Sequence, residues 1–136
     1  MDIWEYFLQK EAEYNSLGLR PDRAVDELFT ALEGYGDRRG RVFGNLWLTD
    51  DAFLSVSELV EIVNRRYARR IEYGYFLVID GIDVFGEERD LSHDPAVHRH
   101  TEGHTKRVSS NPISFKKVVA TAWKEITYRT TLAPID

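Results

Sequence analysis

The chain reads as an α+β domain: an antiparallel meander sheet of three to four strands, with amino-terminal helices and a carboxy-terminal helix packed on it. Apolar residues recur at helical spacing near both ends, and the middle of the chain is rich in branched and aromatic residues that alternate with a two-residue period. Asp80-Gly81, a hairpin-type dipeptide, separates two of those runs. A length of 136 residues suits one domain. Its parts are a helical segment (1–38), antiparallel strands (40–85), a His-rich loop region (86–112) and a closing helix (113–130).

Asp2 is placed to cap a first helix, in which Ile3, Trp4, Phe7 and Leu8 share one face and which ends in the turn formers from Asn15 to Gly18. Pro21-Asp22 opens a second helix, with Val25, Leu28, Phe29 and Leu32 on one side and Gly34 and Gly36 as its stop. Arg41 to Thr49 has strand character. Asp50-Asp51 turns the chain into a segment with two readings. Leu54, Val56, Val60 and Ile62 alternate as in a strand, while Ser55 to Glu58 also forms a helix-capping box. The strand is favoured, because Val and Ile dominate and the strand-like run Arg70 to Asp80 follows as a partner. Ile82 to Phe85 returns as a short fourth strand.

Residues 86–112 hold Gly86, Pro95, Gly103 and Asn111-Pro112 and read as a long loop, a length that points to function or mobility. Ser114 then caps a helix whose Phe115, Val118, Val119, Ala122, Trp123 and Ile126 keep a helical stripe. Trp47, Phe76 and Trp123 are expected in the core.

The chain has no cysteine, so disulfides, thiolate nucleophiles and cysteine-ligated zinc are excluded, and any metal site must use His, Asp or Glu. The first twenty residues lack the basic start and apolar run of a signal peptide, and no stretch reaches the roughly 18 apolar residues needed to span a bilayer. The expected setting is cytoplasmic, without membrane contact. The net charge of −5 divides unevenly, −7 over residues 1–63 and +2 over 64–136, so a local basic face can hold phosphates although the whole chain is acidic.

All four histidines, His93, His98, His100 and His104, fall within one stretch of twelve residues. In an extended segment His98 and His100 project to the same side. That arrangement suits paired ligands of a divalent metal, or an acid and a base working near neutral pH. Arg99, Lys106 and Arg107 interleave with the imidazoles and Lys116-Lys117 follow, a setting that favours an anion over a metal cation. Metal-free cleavage of RNA needs a base, an acid and cations to hold the developing charge, and these residues meet that need if they converge. No cofactor is then required. Two other readings stand beside this one. The stretch is an exposed, solvated turn, or the His cluster takes a divalent metal for hydrolysis, with Asp80, Asp83, Asp90 or Asp94 adding oxygen ligands. Arg65, Arg66, Arg69 and Arg70 around Tyr67 form a second basic group, suited either to a nucleic-acid backbone and a stacked base or to a solvated strand end.

The stretches YGYFLVIDGIDVF (73–85), Arg89-Asp90 with His93, His98-Arg99-His100 and the helix from Phe115 together resemble the TumE-type family of small prokaryotic toxins. The resemblance covers about residues 40–128. The sequence departs from the pattern at Leu91, where Asn is expected, and in having two amino-terminal helices where one suffices. It implies a growth-inhibiting toxin neutralised by a cognate antitoxin, often a DNA-binding protein. The expected activity is ribonucleolytic, with His98, His100, His93 and His104 as catalytic residues. Arg99, Lys106, Arg107, Arg89, Arg65 and Arg66 would hold the RNA. The competing reading is a non-catalytic module that binds nucleic acid or a partner protein, and a homodimer is compatible with either.

Overall fold

The computed structural model describes residues 1–17, 29–92, 96–101, 106–109 and 113–132, with side chains at 106–109 and 130–132 outside that description. Its elements are α1 (Ile3–Ser16), β1 (Phe29–Ala31), β2 (Arg39–Trp47), β3 (Ala52–Asn64), β4 (Tyr67–Ile79), β5 (Ile82–Arg89), β6 (Val97–Thr101), β7 (Lys106–Ser109) and α2 (Phe115–Leu132). Among the described residues the strands form one seven-stranded sheet in chain order, every neighbour antiparallel. The α+β class and the meander are therefore as expected, but the sheet has seven strands instead of three to four.

The extra strands have identifiable origins. Phe29–Ala31, assigned by spacing to the end of a second helix, pairs instead with Gly40–Val42 as β1, and the rest of that predicted helix from residue 21 to 28 lies outside the described residues. A sheet edge that leaves β2 unpaired outweighs a weak helical period. Inside the expected loop 86–112, Gly86–Arg89 prolong β5 while Val97–Thr101 and Lys106–Ser109 form β6 and β7. These are short polar strands, and polarity hides a period that only apolar residues advertise.

The ambiguous segment is a strand. Even-numbered residues of β3 from Ala52 to Ile62 are buried, so the side-chain alternation holds through the capping box. Arg65-Arg66 makes the turn to β4, with the Arg66 N–H donating to Asn64 Oδ1 at 2.9 Å. Asp80-Gly81 turns β4 into β5 with φ of 51° and 76°, the positive values that a tight hairpin requires.

Both helices cover the same sheet face. The Asp2 side chain caps α1 by accepting from the Glu5 N–H at 2.8 Å. Its buried stripe is Ile3, Phe7, Lys10 and Tyr14, whereas Trp4 and Leu8, expected on that stripe, are exposed. Gly40 lets α1 sit close, since a Cβ there would lie 2.7 Å from Ile3 Cγ1 and from Phe7 Cζ. Phe115, Val118, Val119 and Ala122 bury one side of α2 against Tyr75, Leu54 and their neighbours, and Trp123 packs at the edge of this cluster. Trp47 and Phe76 are only partly buried and alternate onto the opposite face, which corrects their expected place in the core.

A polar network crosses the helix-side core. Glu58 is 1% exposed and accepts hydrogen bonds from Tyr6 at 2.9 Å and from Tyr75, with Lys10 Nζ at 3.5 Å. Arg70 donates to the Tyr75 hydroxyl and to the Ile113 carbonyl at 2.7 Å, so the same network reaches the start of α2. Burial, helped by the Glu58 carboxylate, pushes the Tyr6, Tyr14 and Tyr75 hydroxyls far above their ordinary value of 10.0.

Two outcomes are expected from this packing. Gly40→Ala should lower unfolding free energy by about 1–3 kcal/mol in urea titration, the usual consequence of overpacking. These tyrosines stay neutral when folded and ionise when unfolded, so stability is complete below about pH 10 and falls above it, by up to about 1.4 kcal/mol per pH unit for each. Urea midpoints measured between pH 8 and 11 check the sign.

Candidate metal centre

In an antiparallel sheet, residues directly opposite one another share a face. Glu88 of β5 stands opposite His98 of β6, and Gly86 stands opposite His100. Continuing across the register, Glu88 faces Gly74 and then Ser57, and Gly86 faces Phe76 and then Ser55. The two histidines and Glu88 therefore lie on the sheet face away from α1 and α2.

Three potential ligand atoms converge there. His98 Nε2 and His100 Nε2 are 2.9 Å apart, and Glu88 Oε1 is 3.1 Å from the first and 3.7 Å from the second. All three groups offer an atom within 4.8 Å of the others. Donors about 2.0–2.2 Å from a shared ion stand roughly 3.0–3.5 Å apart at tetrahedral or octahedral angles, so this triangle has the size of a metal's coordination face. His98 is 0% exposed and His100 5%, while Glu88 is partly open. Imidazole and carboxylate donors suit zinc and other divalent transition metals.

Small residues shape the space beside the triangle. The Phe76 ring lies over Gly86 so closely that a Cβ at that position would overlap it, and the same ring meets His100 edge-on at 5.4 Å. Ser57 and Gly74 leave a cleft of about 240 Å³ whose lining includes Glu88, Phe76, Arg41, Glu72, Arg89 and Asp90. The carboxylate of the triangle thus belongs to the wall of an open cleft.

The predicted site residues divide sharply. His98 and His100 come together as their spacing required. Arg99, expected to hold phosphate beside them, points to the helix side and pairs with buried Glu87 at 2.5 Å. The middle residue of a His-x-His step in a strand must face the opposite way. Arg65 and Arg66 sit exposed in the β3–β4 turn and line neither this cleft nor the one described below. Arg89 lines the cleft. His93 and His104 lie outside the described residues. Lys106 and Arg107 are on β7, where their backbones pair with Thr101 and His100, and their side chains lie outside the description. Of the candidate oxygen ligands, Asp80, Asp83 and Asp90 do not belong to the triangle, and Asp94 lies outside the described residues.

Glu88 was missed. Its signal was the alternation Gly86, Glu88 continuing β5 past Phe85, but placing it opposite His98 needs the pairing across residues 90–96, which local sequence does not specify.

Zinc should stabilise the protein by about 2.7 kcal/mol when free metal exceeds its dissociation constant a hundredfold. Differential scanning fluorimetry should show this shift in the wild type and lose it in His98→Ala and Glu88→Ala. Comparison of the chain with family models, with curated proteins and with solved structures finds no match, so its candidate site is characterised by geometry alone.

Proposed function

We propose that Glu88, His98 and His100 hold a divalent transition metal, zinc by ligand type, and that the protein hydrolyses phosphodiester bonds. The observation that carries this is the triangle of two Nε2 atoms and one carboxylate oxygen, with sides of 2.9, 3.1 and 3.7 Å, at the edge of an open cleft. Glu88, His98 and His100 would hold the metal, which would supply a hydroxide nucleophile near neutral pH by acidifying a water. With that nucleophile, attack on phosphorus would break the P–O bond to the leaving oxygen. Glu72 or Asp90 on the cleft wall takes the proton released from water, and the leaving oxygen is protonated from solvent. Arg41 and Arg89 hold the non-bridging oxygens.

RNA is the proposed substrate, and a toxin paired with an antitoxin is the proposed setting. Support for that setting is the resemblance of residues 73–85 and His98-Arg99-His100 to TumE-type toxins. The metal-free alternative, with His98 and His100 as acid and base, draws on their direct 2.9 Å contact. It lacks Arg99, which the strand turns away.

One assay separates the two. Purified protein incubated with unstructured RNA should cleave it, stop in EDTA and resume on adding zinc or manganese, with His98→Ala and Glu88→Gln at least 100-fold slower. Cleavage indifferent to EDTA would establish the metal-free route. Intact RNA in the presence of metal, together with growth arrest that survives His98→Ala and His100→Ala, would remove the nucleolytic reading.

A further inference from the structure

The cleft beside the metal ligands contains three carboxylates, Glu72, Glu88 and Asp90, against two arginines. That balance serves chemistry on one phosphate and grips a polyanion poorly. A second cleft of about 540 Å³ opens on the helix side, between α1, β4 and the first turn of α2, and its charge is reversed. Its lining carries five basic residues and one acidic residue, Glu13.

The basic residues are not equally available. Lys10 is buried and lies 3.5 Å from Glu58 and 3.6 Å from Glu13, so its charge is matched within the fold. Arg69 pairs with Glu61 at 2.7 Å yet leaves about half of its side chain exposed. Arg70 is held in place by Tyr75, by the Ile113 carbonyl and by the Tyr73 ring 4.5 Å away, which fixes the direction of its guanidinium. The side chains of Arg89 and Lys116 make no hydrogen bond or ion pair with a described residue. Tyr67, 54% exposed, presents its ring on the same wall.

We infer that this cleft binds single-stranded RNA, as a positioning site separate from the metal ligands. A pre-oriented guanidinium, two cations with no side-chain partner among the described residues and an exposed aromatic ring form the combination that tracks a phosphate backbone while stacking a base. An acidic protein segment would satisfy the charge but has no use for the ring. Arg89 joins the two sites. It lines both clefts, at the end of β5, directly after Glu88. A strand lying in the basic cleft and passing over Arg89 would bring a downstream phosphodiester toward the metal ligands. This role rests on the proposed RNA hydrolysis for its purpose, but the binding itself does not need the metal.

The test uses the full chain and a fluorescent oligouridine of about ten nucleotides, followed by anisotropy in EDTA. Binding should weaken with salt with a log–log slope of about −2 to −3, as three to four single-strand phosphate contacts predict. Arg89→Glu with Lys116→Glu should weaken it at least tenfold and Tyr67→Ala at least fivefold, whereas Arg129→Glu at the far end of α2 should leave it within about twofold. Lys116 is exposed in the first turn of α2, so Lys116→Glu alone supplies a folded variant if the double one unfolds, with a loss of at least threefold expected. Binding unaffected by salt or by Lys116→Glu and Tyr67→Ala would overturn the inference. Equal competition by oligoglutamate would overturn it too, in favour of an acidic protein partner. RNA that binds as expected but stays intact with zinc would refute the hydrolytic reading and leave this one standing.

Discussion

The two-residue period of an antiparallel strand divides this molecule into two working faces. Along β3 every even position from Ala52 to Ile62 is buried on the helix side. The same alternation, carried through the register, sends Glu87 and Arg99 toward the helix side and Glu88, His98 and His100 to the other. A shift of one residue between β5 and β6 would carry His98 and His100 to the helix side with Glu87 and leave Glu88 on the opposite face. The proposed metal ligands thus depend on pairing over only four residue pairs, Gly86 to Arg89 with Val97 to His100.

The helix side solves a different problem. A carboxylate at position 58 in the centre of a sheet is costly to bury unless its oxygens are satisfied. Tyr6, Tyr75 and Lys10 satisfy it, and they come from α1 and β4. Arg70 extends the network to Ile113, just before Ser114, whose hydroxyl accepts the Lys117 N–H at 3.3 Å and caps α2. Satisfying Glu58 therefore also sets where both helices lie. The same arrangement orients the Arg70 guanidinium at the base of the basic cleft, so polar groups needed inside the fold also shape its surface.

Charge separation between the clefts gives the proposed activity a division of labour. Carboxylates and imidazoles gather where a metal and an attacking water are needed, and basic residues gather where a backbone is gripped. The metal-side cleft keeps two arginines, Arg41 and Arg89, against three carboxylates, enough to hold one phosphate without making the site basic. Arg89 lines both clefts, positioned at the strand end where they meet.

Much of this was legible in the residues. The helical stripe of α2, the Ile3 and Phe7 part of the α1 stripe, the Asp80-Gly81 hairpin, the strand nature of 52–64 and the common side of His98 and His100 all follow from local spacing, because backbone geometry ties side-chain direction to position within a few residues. Local spacing also fixed that Arg99 faces away from the histidines once 97–101 is a strand, although its positive charge suggested the opposite. Tertiary structure decided the rest. Phe29–Ala31 became a strand because β2 offered an open edge, and 97–101 and 106–109 became strands because β5 did, by way of β6. Glu88 joined the histidines through hydrogen bonds formed across an intervening segment. Which carboxylate meets which imidazole is a matter of register between strands, and register is chosen by the whole ladder and the packing beneath it, not by the residues that end up in contact.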